Sequence, residues 1–211
     1  MMDELITTLK KLNACEDSIE WLSTQDSVES AWYSCERGDW LLWLVARLKI
    51  NERKLFLAKG LVVEQVIHLM NDERSIAAVK AAINYSNGKI SKDELSADDA
   101  AANVAAYANA AGAYAAHAAY AAYTDATATD NAAAAYANAA AAYAANTYDD
   151  NAAVAAAYAA NAATNTAIAN AYAASDAAAE QLSFKKSAAI VREIFVFEEI
   201  IEASKTDCKV V

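Results

Sequence analysis

The fold is decided by an alanine-rich stretch that reads SADDAAANVAAYANAAGAYAAHAAYAAY (96–123), NAAAAYANAAAAYAAN (131–146) and NAAVAAAYAANAATNTAIANAY (151–172). About half of residues 96–183 are alanine, and the stretch contains neither Lys nor Arg. Alanine is the best helix former because it loses no side-chain entropy on ordering. The stretch holds one glycine, Gly112, and the whole chain has no proline, so nothing forces a break within a helix. Punctuation comes from Asp, Thr and Asn clusters instead. Ser96-Ala97-Asp98-Asp99 has capping-box spacing. Thr124 to Asp130 and Asn146 to Asp150 read as turns whose carboxylates cap the next helix. The spacing predicts helices near 97–123, 131–146 and 151–179.

At about 100° per residue, the bulky and polar residues of these helices gather into stripes. Tyr107, Tyr114 and His117 share one stripe of the first helix. Tyr158, Asn161, Asn165, Tyr172 and Asp176 share one stripe of the third. The remaining surface is almost all methyl groups, which remove little area from water. Close approach of the helices must compensate through dispersion contacts. The tyrosines and asparagines are then left for something else. Tyrosine offers a large, rigid contact area and asparagine adaptable hydrogen bonds, so these faces are candidates for binding a protein partner.

Outside this stretch the helical period continues with ordinary bulk. Leu5, Ile6, Leu9 and Leu12 mark a first amphipathic helix, and Cys15 to Leu22 a second. Asp26 or Ser27 caps a third that carries Val28, Ala31, Trp32 and Cys35. Asp39 can cap the run Trp40 to Leu48, Asn51 a fifth helix, and the Asn71-Asp72 region a sixth that stops at Asn87-Gly88. The pattern resumes from Phe184 to about Ala203. No alternating run is long enough for a sheet, so the expected class is all-α, a multi-helix bundle. Three parts are expected: 1–95 with a Trp/Leu core, the alanine-rich bundle 96–183, and a C-terminal helix in 184–211 packing on the core. Without a Gly/Ser/Pro linker between them, they should fuse into one unit.

The formal charge is −11 and is unevenly spread. Residues 96–183 carry eight acidic side chains and no basic one, while 184–211 carry five of each. Phosphate binding needs a basic face, so nucleic acid is an unfavourable ligand. The longest strongly apolar run, Trp40 to Ala46, is far short of the ~20 residues that span a bilayer. The acidic start, Met1-Met2-Asp3-Glu4, is unlike a signal peptide. Three cysteines (15, 35 and 208) without CxxC spacing fit reduced thiols in a bacterial or phage-infected cytoplasm. Cys15 and Cys35 read as small core residues. With two histidines, His68 and His117, no metal site or cofactor is expected, and no nucleophile or acid–base set can be assembled.

A second constellation lies in the N-terminal part. Arg37, Trp40, Arg47 and Arg74 could line a ligand pocket floored by tryptophan, with a small nucleotide-like molecule as its candidate ligand. Helix capping by Asp39 and tryptophan packing account for the same residues structurally.

The run Trp21-Leu22, Ala31-Trp32, Cys35-Glu36-Arg37-Gly38-Asp39-Trp40-Leu41-Leu42-Trp43-Leu44 and Asp72-Glu73-Arg74-Ser75, with the alanine tract after it, resembles a family of immunity proteins. That family is encoded near bacterial polymorphic toxins and in some phages. The resemblance implies an all-α protein that neutralises a toxin or defence effector by direct binding, without catalysis. A phage counter-defence sponge that sequesters a nucleotide-like signal is the alternative expectation. A homo-oligomer is compatible with either.

Overall fold

The computed structural model describes residues 2–70, 72–97 and 176–207, with side chains over 2–70, 72–97 and 181–205. The fold is all-α, a helical bundle with no strand among the described residues. The element order is α1 (Met2–Lys11), α2 (Glu16–Ser23), α3 (Val28–Ser34), α4 (Gly38–Arg47), α5 (Glu52–Glu64), a 3-10 turn (Ile67–Leu69), α6 (Glu73–Ser86), then α7 (Asp176–Ile194) and α8 (Phe197–Asp207).

The helix ends obey local chemistry. Ser27 accepts from the Ser30 amide at 3.0 Å, Asn51 from the Lys54 amide at 3.0 Å, and Asp72 from the Arg74 amide at 2.9 Å. Each oxygen satisfies a donor that the first turn cannot. α6 stops where the sequence says it should. Gly88 adopts φ 72°, and the Gly88 and Lys89 amides return to the carbonyls of Tyr85 and Asn84 at 3.0 and 2.9 Å. The turn after α1 passes through Asn13 at φ 61°, a left-handed conformation that asparagine tolerates.

Several boundaries differ from the sequence expectation. Asp39 does not cap α4. The helix begins two residues earlier, at Gly38 with Arg37 as its N-cap residue, and Asp39 spends its carboxylate on the Arg37 side chain. The turn before the alanine stretch is capped at Ser91, not Ser96. The Ser91 amide donates to Glu94 Oε2 at 2.8 Å, while the Glu94 amide donates to Ser91 Oγ at 3.3 Å, a reciprocal box that starts a helical segment at 92–97. Ser96 lies inside that segment, so the 95/96 division falls within a helix.

The 183/184 division also falls within a helix, because α7 runs unbroken from 176 to 194. Conversely, the stretch read as one helix over Phe184–Ala203 is two. The chain turns at Phe195-Val196, where Phe195 is fully buried and Val196 is exposed, and the Glu199 carboxylate accepts from the Val196 amide at 3.3 Å. The apolar stripe passes through this turn without Gly or Pro, so periodicity alone does not reveal it. Cys15 is exposed at the start of α2, whereas Cys35 is buried.

α5 packs along α6, and α7 packs against both α4 and α5. Gly60 lets α5 approach Ile83 of α6, and the Phe56 ring meets Tyr85 edge-on at 5.2 Å. The main core joins Leu42, Val45, Val62, Val63 and Val79 to Ala188 and Val191 of α7, Phe195 of the turn after it and Ile200 of α8. A second cluster, built on Leu5, Leu9, Leu22, Val28 and Ala31, lies under the α1–α2 hairpin. Burying such side chains stabilises by about 1.5–3 kcal/mol each. α7 is therefore part of the N-terminal core, although it is separated from α4 by well over a hundred residues of chain.

Candidate functional site

The Arg37-Gly38-Asp39-Trp40 run sits where α4 meets α7, and glycine is what allows the meeting. A Cβ placed on Gly38 would lie 2.3 Å from Cβ of Ser187, 2.7 Å from the Ala188 amide nitrogen and 2.8 Å from the Ser187 carbonyl carbon. Backbone touches backbone here. Arg37, just before this contact, is held on two sides. Its Nε and Nη2 donate to the two carboxylate oxygens of Asp39 at 2.9 and 2.6 Å. Its guanidinium carbon lies 4.4 Å from the Trp40 ring centroid and 4.8 Å from that of Phe184 on α7. Planar arginine suits both contacts at once, a fork for the carboxylate and a flat face for the rings.

This cluster borders two cavities. The larger, about 500 Å³, lies between the α1–α2 hairpin and the α3, α4 and α8 helices. All four tryptophans of the chain (Trp21, Trp32, Trp40 and Trp43) line it. Leucines 5, 9 and 22 close one wall, Phe197 and Ile200 of α8 another, and Asn13, Cys15, Asp17, Arg37 and Asp39 supply its polar groups. The smaller, about 440 Å³, shares Trp21, Cys35, Arg37 and Trp40 and adds Ser34, Glu36, Gln181 and Phe184. Trp21 and Trp40 stand 5.9 Å apart with their rings tilted by 57°. The larger cavity is mostly apolar with a few placed polar groups, as small-molecule sites are, whereas the smaller is lined about equally by polar and apolar surface.

Two further contacts brace the walls. Arg192 of α7 donates through Nη1 to the carbonyls of Trp32 and Cys35 at 3.2 and 2.7 Å, satisfying acceptors at the end of α3. Lys185 pairs with Glu36 at 3.1 Å. The Cys35 thiol donates to the Arg37 carbonyl at 3.6 Å, and burial pushes its pKa up. A thiol so placed is a wall rather than a nucleophile.

Of the four residues expected at a ligand pocket, Arg37 and Trp40 come together and line both cavities. Arg47 and Arg74 line neither. Arg47 lies two turns beyond Trp40 on α4, its guanidinium carbon 5.7 Å from the Trp43 ring centroid. Arg74 belongs to the first turn of α6, which packs on α5. Its Nε and Nη2 donate to Asp72 at 3.1 and 2.7 Å, and this hydrogen bonding to the carboxylate raises its pKa further. Tyr107, Tyr114, His117, Tyr158, Asn161, Asn165 and Tyr172 lie outside the described residues. Asp176 is the first residue of α7, and its side chain lies outside them too. His68 is exposed on the 3-10 turn.

Sequence reasoning missed Trp21, Phe184 and Phe197 as partners of Arg37 and Trp40. No local signal could have found them, since they arrive from α2, α7 and α8. Among the described residues no group of His, Cys, Asp and Glu could hold a metal ion, and no described helix is long and apolar enough to cross a membrane. Compared with known proteins, the chain matches no family model, no curated protein and no solved structure.

Proposed function

We propose that this protein works by binding rather than by catalysis, as a cytoplasmic immunity or counter-defence protein, and that it sequesters a small ring-bearing molecule in the tryptophan cavity. The observation that carries the reading is the convergence of all four tryptophans, with Arg37 beside them, on one cavity of about 500 Å³. Scattered tryptophans in a core need no cavity. Four bordering one space, with Arg37 and Asp39 among its lining residues, supply a large aromatic surface for a flat guest and polar groups to orient it.

The test is a ligand screen on the full chain, read by thermal shift and by quenching of tryptophan fluorescence, with nucleosides, nucleotides and cyclic nucleotides. Sequestration predicts a shift for at least one ring compound and its loss in Trp40→Ala. A flat response across ring compounds would remove this reading.

A second reading is neutralisation of a toxin or defence effector by direct protein binding through Tyr107, Tyr114, Tyr158, Asn161, Asn165, Tyr172 and Asp176. What favours it is charge, since residues 96–183 carry eight carboxylates and no cation, which suits a basic partner surface. Under it, Tyr158→Ala with Tyr172→Ala abolishes capture of the partner while helicity by circular dichroism is retained. Capture unchanged in that double variant would defeat this assignment.

A further inference from the structure

The chemistry around the tryptophan cavity selects among ring compounds. We infer that its ligand is a planar aromatic molecule without negative charge, and that phosphorylated ligands are turned away. This rests on the sequestration reading above and narrows it. Among the described residues Arg37 is the single cationic one on the walls of both cavities, and Asp39 takes it in a two-point ion pair. Trp40 and Phe184 cover its flat faces. An anion entering would have to compete with Asp39 for that guanidinium.

The remaining charged groups on the described walls are carboxylates. Asp17 and Asp39 border the larger cavity and Glu36 the smaller. Lys185, which pairs with Glu36, lines neither cavity. A phosphate or sulfonate would therefore lose its water shell against carboxylates and indole, with no wall cation that is not already engaged by a carboxylate. Ring faces, in contrast, stack on flat apolar molecules and attract positive charge. Burial favours the same guests, because most of the residues lining the larger cavity are Leu, Val, Ala, Ile, Phe and Trp.

The inference is tested with two fluorescent probes that share a ring system and differ in charge. N-phenyl-1-naphthylamine is uncharged, and 1-anilinonaphthalene-8-sulfonate carries one sulfonate. Each is titrated into the full chain, with tryptophan quenching and energy transfer to the probe as readouts. The uncharged probe should bind one to one and at least about tenfold more tightly. Asp39→Asn removes the carboxylate charge from the guanidinium and from the cavity wall, so in that variant the preference should shrink. Ala31→Leu adds bulk to a cavity wall and should weaken the uncharged probe while the fold still melts cooperatively. Wild-type protein that binds the sulfonate probe as tightly as the uncharged one overturns the charge selection and leaves sequestration standing. Binding of neither probe nor any nucleoside removes both. Full-strength binding of the uncharged probe by a folded Ala31→Leu variant places the site elsewhere and overturns the inference.

Discussion

Gly38→Ala is the sharpest perturbation that the structure offers, because a single methyl there meets backbone rather than a movable side chain. The added carbon would stand 2.3 Å from Ser187 Cβ and 2.7 Å from the Ala188 amide nitrogen. Ordinary carbon–carbon contact needs about 3.5–4.0 Å, so α4 and α7 must part by roughly 1 Å or more. That separation loosens the packing of Leu42 and Val45 against Ala188 and Val191, all fully or almost fully buried.

Overpacking of this kind costs about 1–3 kcal/mol, and helix propensity returns at most about 1 kcal/mol at a first-turn position. A net loss of about 2 kcal/mol lowers Tm by about 4–8 °C in a chain of this size. The assay is thermal unfolding by circular dichroism at 222 nm, with urea unfolding to check that the m-value is preserved. Gly38→Ala combined with Ser187→Gly should recover only part of the loss. The double variant removes the Cβ contact but keeps the approaches to Ala188 N and to the Ser187 carbonyl carbon. Gly60→Ala, which meets chiefly the Ile83 side chain at 2.7 Å, should cost less. If Gly38→Ala melts within about 1 °C of wild type, the close crossing of α4 and α7 is not the contact that holds the C-terminal helix on the core.

Other expected outcomes come from particular contacts. Arg192→Ala strips the bonds to the Trp32 and Cys35 carbonyls and should destabilise by about 1–3 kcal/mol in urea titrations, a loss that Arg192→Lys restores only in part. Glu199 accepts two bonds from Lys54 Nζ at 2.6 and 2.8 Å, and this pairing holds its carboxyl below the ordinary value. A carboxyl depressed in the folded state contributes at neutral pH and loses that contribution as pH falls through its folded pKa. Glu199→Gln should therefore destabilise modestly at pH 7, by well under about 1 kcal/mol for this third-exposed pair, and the difference from wild type should shrink as pH falls through the lowered carboxyl pKa. A difference that stays constant from neutral to acid pH would contradict the assignment. Cys15 is exposed, whereas Cys35 is buried with a raised thiol pKa, so iodoacetamide at pH 8 should modify Cys15 at least about tenfold faster by peptide mapping. Comparable rates would show that the Cys35 wall opens.

The fold class is legible in the sequence because it depends on local quantities. Helix propensity, the 3.6-residue period of Leu5, Leu9 and Leu12, and the caps at Ser27, Asn51 and Asp72 each act within four residues of themselves, and the structure places those three caps where the chemistry puts them. The αL stop at Gly88 is of the same kind. Sequence and structure part where two local rules compete. Asp39 could cap a helix or hold Arg37, and holding Arg37 wins. Ser91-Glu94 offers a fuller capping box than Ser96-Asp99, and the fuller box starts the helix.

What only tertiary structure decided is the candidate site. Arg37 and Trp40 are visible as a motif, but the residues that give them meaning are Trp21, Phe184 and Phe197, brought from three other helices. The glycine of the motif is explained by a backbone nearly a hundred and fifty positions away, at Ser187-Ala188. Periodicity states which face of a helix is apolar, never which other face it will meet. That choice is made by the summed packing of all helices, and so the cavity, unlike the helices around it, has no signature in any one stretch of sequence.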